Sequence, residues 1–481
     1  MPETNLNFIS ENQYIISRTK LNITYMREMI LTNGNFLYVG RNLKSRVLKD
    51  ANECEYVILG NAYVCNDINK DIEYCISNFK GSDINDLIYY WTGKFIIIRD
   101  DEIQTDAGGL MPLFYTNGKD WILSSSLALM KRIKNIKTVK EVSRQGINWQ
   151  LLPNSLYEGI SQLLCTQKIN FVKGEIKVVF NPWIENMKFL TTSEKINIIS
   201  TTLQNALHNI YKYSGKQIYI ALTAGKDSRL VLASALSAGI KFKTYTFEHE
   251  TMLYCDRVLP GKIAKDLSFE HVFLKREKFS KEKSDSYEYY TAGNCRGVDQ
   301  MFYSYGVYDK LPEGCIIVRS GLFEAGQNYL RHVAASDYSG FKKGIQDYYV
   351  TSFENENQCN SFELWLKGVS ENPIDFIDLR DRMYLEQRVG GWTSSIEQSL
   401  DITGRVSIQI ANCRALLSVL LSASDEERKG LVLSYKTIET INPQLSKYPY
   451  NKITYMDKIM LVKRVLFTPS RLKRYIRKHF N

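Results

Sequence analysis

The residues best suited to chemistry stand together in Leu222-Thr223-Ala224-Gly225-Lys226-Asp227-Ser228-Arg229. Small residues at 223–225 let backbone N–H groups come close to an anion, and a helix beginning near Asp227 adds its N-terminal partial positive charge, so the pattern reads as a phosphate-binding turn. It is not a Walker A loop: no glycine stands five residues before Gly225, and Lys226 is followed by Asp. A G-x-G-x-x-G turn is also lacking. An acid inside a phosphate loop repels its ligand unless a divalent cation lies between them, so Asp227 points to magnesium on pyrophosphate oxygens.

Such a turn needs a strand before it and a helix after it. The apolar run Ile218-Tyr219-Ile220-Ala221-Leu222 supplies the strand, a helical period through Leu203 and Ile210 precedes it, and a second strand, Lys243 to Phe247, follows the next helix. This β-α-β order predicts a parallel sheet. From Phe36 to Leu129 the pattern differs: short strands such as Tyr56–Leu59, Phe95–Ile98 and Trp121–Leu123 are punctuated by turns. No internal repeat and no Pro/Gly/Ser-rich linker separates the two patterns.

These residues resemble the asparagine synthetase family, which activates a carboxylate as its acyl-adenylate and releases pyrophosphate. The loop is similar to that family's S-G-G-x-D-S pyrophosphatase loop, with Thr223 for Ser, Ala224 for the first Gly, and Gly225, Asp227 and Ser228 matching directly. Downstream, Ser320-Gly321-Leu322-Phe323-Glu324 after the strand Cys315–Val318 looks like the element that supplies a second magnesium-binding carboxylate, here Glu324. The stretch from Asp256 to His271 resembles the family's segment in which an acid precedes the next helix. Gly93-Lys94-Phe95, Thr105 to Tyr115, Leu123 to Ser126 and Ser155 to Ile160 resemble the synthetases' glutaminase-like first domain.

The resemblance implies an α/β protein with an N-terminal Ntn-amidohydrolase-like αββα sandwich over 1–190 and a parallel-sheet ATP-pyrophosphatase (PP-loop) domain over 191–481. It implies ATP and Mg2+ as ligands, Asp227 and Glu324 on the metal, and Thr223 to Gly225, Asp227, Ser228, Ser320 and Gly321 around the nucleotide. Adenine would be held by backbone at Leu222 and Phe247. Toward the acceptor, the stretch Asp378 to Trp392 with Asn412-Cys413-Arg414 is similar to homologues from bacterial surface-polysaccharide loci. Glu386 is a candidate there, as is a structural Glu386–Arg388 ion pair. A lysine near the chain end would stabilise charge on the adenylate; Lys452 is the first choice and Lys447 the second.

Glutamine hydrolysis in that family needs a cysteine directly after the initiator methionine, whose thiol attacks while its own amine acts as base. Residue 2 is Pro, and the first of nine scattered cysteines is Cys54. The first domain therefore reads as an inactive scaffold, and the nitrogen comes from an amine or from ammonia. The expected function is an ATP-dependent ligase that forms an amide from a small-molecule or glycan-precursor carboxylate. Its rivals are asparagine synthesis from ammonia and a degenerate nucleotide-binding scaffold.

The rest of the chain narrows the partners. Its 481 residues, 44% hydrophobic and 24% charged, exclude collagen-like, low-complexity and coiled-coil classes. The longest apolar stretch, Ala415 to Ala423, is about half the ~18–20 residues of a spanning helix. With no secretory signal at the start, the cytoplasm is the expected compartment. Of the net charge of +10, residues 457–481 carry +7, from eight Lys/Arg against Asp457. The body is near neutral, which argues against nucleic acid as partner. Basic residues interleaved with Ile459, Val462, Leu466, Leu472, Tyr475 and Ile476 suit peripheral contact of 458–481 with anionic membrane.

Overall fold

The computed structural model describes the chain except for residues 1–8, 137–138, 144–145, 180–186, 250–251, 276–279, 295–305, 328, 334–336 and 467–481. Among the described residues twelve strands occupy its first part: β1 Tyr14–Ser17, β2 Arg27–Ile30, β3 Phe36–Val39, β4 Ser45–Lys49, β5 Glu55–Val64, β6 Trp91–Arg99, β7 Glu102–Thr105, β8 Phe114–Tyr115, β9 Ile122–Ser124, β10 Ser161–Gln162, β11 Gln167–Asn170 and β12 Glu175–Val178. They form two antiparallel six-stranded sheets, ordered β10-β8-β9-β1-β3-β2 and β12-β11-β7-β6-β5-β4.

Period-two alternation explains how the sheets stack. Tyr14, Ile16, Leu37 and Val39 of the first sheet meet Val57, Leu59, Ile96 and Ile98 of the second in one core. The intervening residues turn the other way. Ile15, Tyr38 and Ile122 pack on the helix Leu127–Ile133, while Tyr56, Ile58, Phe95 and Ile97 pack on the helices Ile72–Ser77 and Ile84–Ile88. The layers run helix, sheet, sheet, helix.

The second part opens with the helix Thr192–Ser214, started by a capping box of Thr191 and Glu194 and ended by Gly215 at φ +62°. Its face of Ile199, Leu203, Ala206, Leu207 and Ile210 is buried at helical spacing. Five parallel strands follow: β13 Ile218–Ala221, β14 Lys243–Glu248, β15 His271–Lys275, β16 Ile316–Arg319 and β17 Val406–Gln409, in the order β15-β14-β13-β16-β17. The order reverses between β13 and β16, which pair directly from Ile218↔Ile316 to Ile220↔Val318. Crevices at the carboxyl ends of strands beside such a reversal are the usual ligand sites of open α/β sheets.

The two parts share a core in which Tyr63, Cys65, Ala107, Leu110 and Cys165 pack with Leu416, Val389 and Ile410. Across this seam Asn412 Nδ2 donates to Asp106 Oδ1 (2.8 Å) and its Oδ1 accepts from the Gly108 N–H (2.7 Å). Asp106 also accepts from the N–H groups of Phe95, Leu110 and Met111. Lys94 Nζ bridges both oxygens of Asp401 at 2.6 Å. No described helix is long and apolar enough to cross a membrane.

Candidate functional site

The loop 222–225 leaves β13 and turns into the helix Lys226–Ser237, whose cap, Gly225, makes no side-chain hydrogen bond. Ser228 fastens the turn from inside: its Oγ accepts from the Thr223 N–H (3.0 Å) and lies 3.0 Å from Thr223 Oγ1. The Gly225 N–H donates to Thr223 Oγ1 (3.1 Å), and the Ala224 N–H donates to Asp256 Oδ1 (2.7 Å). Burial holds the Asp256 carboxyl above its ordinary range against the pull of that bond.

These bonds correct the expected cradle. The N–H groups of 223–225 are already bonded, those of Thr223 and Gly225 within the turn and that of Ala224 to Asp256, so the donors left without a partner in the helix are those of its uncapped first turn, at 226–228. Ala224 is buried and fits the place of the first glycine of the motif without a positive φ.

Asp227, in that first turn, lies 3.2 Å from Lys226 Nζ and receives the Gln327 amide at 3.3 and 3.4 Å. Gln327 belongs to the 3₁₀ turn Gly321–Gln327 that follows β16 and carries Glu324 one turn earlier. Asp227 and Glu324 thus stand beyond the ends of neighbouring strands, near enough for Glu324 to feel the charge of Asp227. Burial first, and the negative charge of Asp227 after it, raise the Glu324 carboxyl above the ordinary range, while Arg388 and Lys226 draw it down. Among the described residues no group of three or more His, Cys, Asp or Glu side chains converges, so the site offers a carboxylate pair.

Arg388 comes from a π-helical stretch, Tyr384–Thr393, inside a longer helical run. Its wider turns place Tyr384, Arg388 and Trp392 on one side. The Arg388 guanidinium stacks on Trp392 at 3.3 Å from the ring centroid, and the Tyr384 hydroxyl reaches the Gly321 carbonyl at 3.5 Å. Gly321 N–H donates to Gln409 Oε1 (2.9 Å), which seats the turn; Ser320 is half-buried beside it.

A segment near the chain end closes over the loop. Arg229, fully buried, donates to the carbonyls of Tyr448 (2.8 Å), Pro449 and Ala224 (2.8 Å) and stacks on the Tyr450 ring at 4.1 Å. The Asn451 N–H adds a bond to Ala224 O (3.2 Å). Lys447 and Lys452 flank this docked segment and are both exposed.

Other candidates fall elsewhere. Glu386 is buried, with Oε1 accepting from Thr166 and from Arg382 Nε (3.0 Å) and Oε2 accepting from Trp365 Nε1 (2.6 Å). Both its oxygens are bonded inside the protein, so it reads as an architectural carboxylate paired with Arg382, not with Arg388. The Leu222 N–H is bound to Tyr245 O (2.9 Å) and its carbonyl already accepts from Thr246, leaving no donor there for an adenine edge. Phe247 lies half-buried in β14, its ring against Tyr245 and Tyr308. Pro2 lies outside the described residues, and the first strand begins at Tyr14. The proposed membrane segment is described only to Leu466, within the helix Tyr455–Leu466.

Arg229 and Gln327 escaped sequence reading. The only signal for Arg229 was a cation one residue past the motif, at a buried helical position. Gln327, three residues after Glu324, carried none.

No family model matches the sequence, and the search of curated proteins gave no match. Among solved structures, the NMN synthetase from Francisella tularensis is similar over 38% of this chain and 96% of its own, at 11% identity and a TM-score of 0.20.

Proposed function

We propose that the protein is an ATP-dependent ligase that adenylates a carboxylate and joins it to an amine or ammonia, releasing AMP and pyrophosphate. The observation that carries this reading is the Asp227–Glu324 pair beside an uncapped helix N-terminus at the point where the parallel sheet reverses its order. Two neighbouring carboxylates, one of them raised by burial and then by the charge of the other, suit a divalent cation, which binds one or two carboxylates and completes its shell with phosphate oxygens and water. Magnesium held by Asp227 and Glu324 would neutralise charge on the departing pyrophosphate.

The chain's own groups divide the remaining work. First-turn N–H groups at 226–228 hold the phosphate end of the nucleotide, with Lys226 and Arg388 as flanking cations. A substrate carboxylate oxygen attacks the α-phosphorus, and the bond from that phosphorus to the pyrophosphate oxygen breaks. The amine nitrogen then attacks the acyl carbon, loses its proton, and AMP departs. Lys452, next to the segment docked on Ala224, is the residue proposed to face charge on the adenylate, with Lys447 at the segment's other end as the alternative. The first part acts as scaffold in this reading, and glutamine is not the nitrogen source.

ATP labelled separately at the α and γ positions, incubated with a panel of carboxylates and amines, tests the reaction class. Labelled AMP and pyrophosphate are expected. ADP and inorganic phosphate as the products would overturn the proposal.

A further inference from the structure

A second cleft lies at the opposite end of the parallel sheet from the phosphate loop. It has a volume of about 280 Å3 and runs between the two parts of the chain. The first part contributes Lys44, Asn61 and Lys94; the second contributes Lys216, just before β13, and Arg405 and Ser407 at the start of β17. The cleft takes no part in the adenylation proposed above.

Its charges do not balance. Lys94 and Asp401 neutralise each other at 2.6 Å. Arg405 is held by the carbonyls of Leu311, Asp309 and Thr403, which fix it without cancelling its charge. Lys44 and Lys216 stand at the mouth, and the one acid left to face these three cations is Glu313, packed on Gly404. Desolvation, then the positive charges of Arg46 and Lys216, hold the Lys44 ammonium below its ordinary range. Ser407, also in the lining, is 6% exposed, yet its Oγ has no hydrogen-bond partner among the described residues. A buried hydroxyl without a partner and three cations facing a single acid ask for the same thing, a small anion that accepts hydrogen bonds.

We propose that this cleft is a second ligand site, which takes a small dianion of the carboxylate or phosphate class on Lys44, Lys216 and the Ser407 hydroxyl. Since Lys44 belongs to one part of the chain and Lys216 and Ser407 to the other, occupancy ties the parts together at the edge remote from Asp227. A ligand there can act as an effector without meeting the nucleotide.

The test is residue-resolved lysine acetylation of the full chain, read by mass spectrometry, with inorganic phosphate in one arm, malonate in a second and sodium chloride at matched ionic strength in a third. Saturable protection of Lys44 and Lys216 by phosphate, by malonate or by both is expected, with Lys447 and Lys452 unprotected; the arm that protects identifies the class. Calorimetric affinity for the protecting anion should fall at least ~10-fold in Lys44→Met/Lys216→Met, as charge-assisted bonds are lost. Ser407→Ala, which keeps both lysines, should weaken it by a smaller factor. Protection confined to Lys226, equal protection by chloride, or unchanged affinity in both variants would overturn the site.

Discussion

Two groups of charged side chains, one at the seam between the two parts of the chain and one at the carboxyl edge of the parallel sheet, are treated in opposite ways. At the seam, Asp106 accepts from three backbone N–H groups and from Asn412, and Glu386 accepts from Thr166, Trp365 and Arg382. Each is fully buried, with both carboxylate oxygens hydrogen-bonded. At the sheet edge, Asp227 and Glu324 are partly exposed, the Glu324 carboxyl is raised by burial and then by the charge of Asp227, and among the described residues Asp227 is met by Lys226 and by long contacts from Gln327. A satisfied carboxylate holds structure together, whereas a carboxylate left beside a like charge waits for a cation.

Breaking the seam should cost most. Glu386→Leu leaves Arg382 buried without its partner, and stability measured by urea unfolding should drop by ~3–5 kcal/mol. The fraction that stays folded should keep its rate per molecule. Breaking the edge should do the reverse: Asp227→Ala should lower the AMP-forming rate ~100-fold or more, with the unfolding midpoint nearly unchanged.

Arg229→Met tests the fastening of the docked segment. Losing the Arg229 bonds leaves the part-buried Tyr448 and Pro449 carbonyls without that donor, at ~1–3 kcal/mol, while the Ala224 carbonyl keeps the Asn451 N–H. Trypsin should then cut after Lys447 and Lys452 faster than in the parent protein; equal cleavage would mean that Arg229 does not hold the segment. The smallest effect concerns pH. Because the Glu324 carboxyl is raised, it stays protonated above the ordinary glutamate range. Activity should therefore fall on the acid side at a higher pH than an unperturbed glutamate would give, and Glu324→Gln should remove that limb of the profile as well as lower the neutral rate.

The strands around the loop were legible because their residues are apolar at strand spacing: Ile218–Leu222 is observed as Ile218–Ala221 and Lys243–Phe247 as Lys243–Glu248. Small residues before Asp227 marked the turn for a similar local reason. What the loop does with its N–H groups was not legible, since the partner of Ala224 is Asp256, 32 residues downstream. The same limit explains Glu386. Its acidic side chain in a charged stretch looked like acceptor chemistry, and only Thr166 and Trp365, brought from distant segments, reveal a filled shell.

The contrast between seam and edge is tested most directly by calorimetric titration of ATP, with and without magnesium, into the parent protein, Asp227→Asn and Glu386→Gln, each first verified as folded. Magnesium-dependent ATP binding that is lost in Asp227→Asn and kept in Glu386→Gln is the expected result. Binding that survives in Asp227→Asn, or that disappears in a folded Glu386→Gln, would contradict the assignment of chemistry to the sheet edge and architecture to the seam.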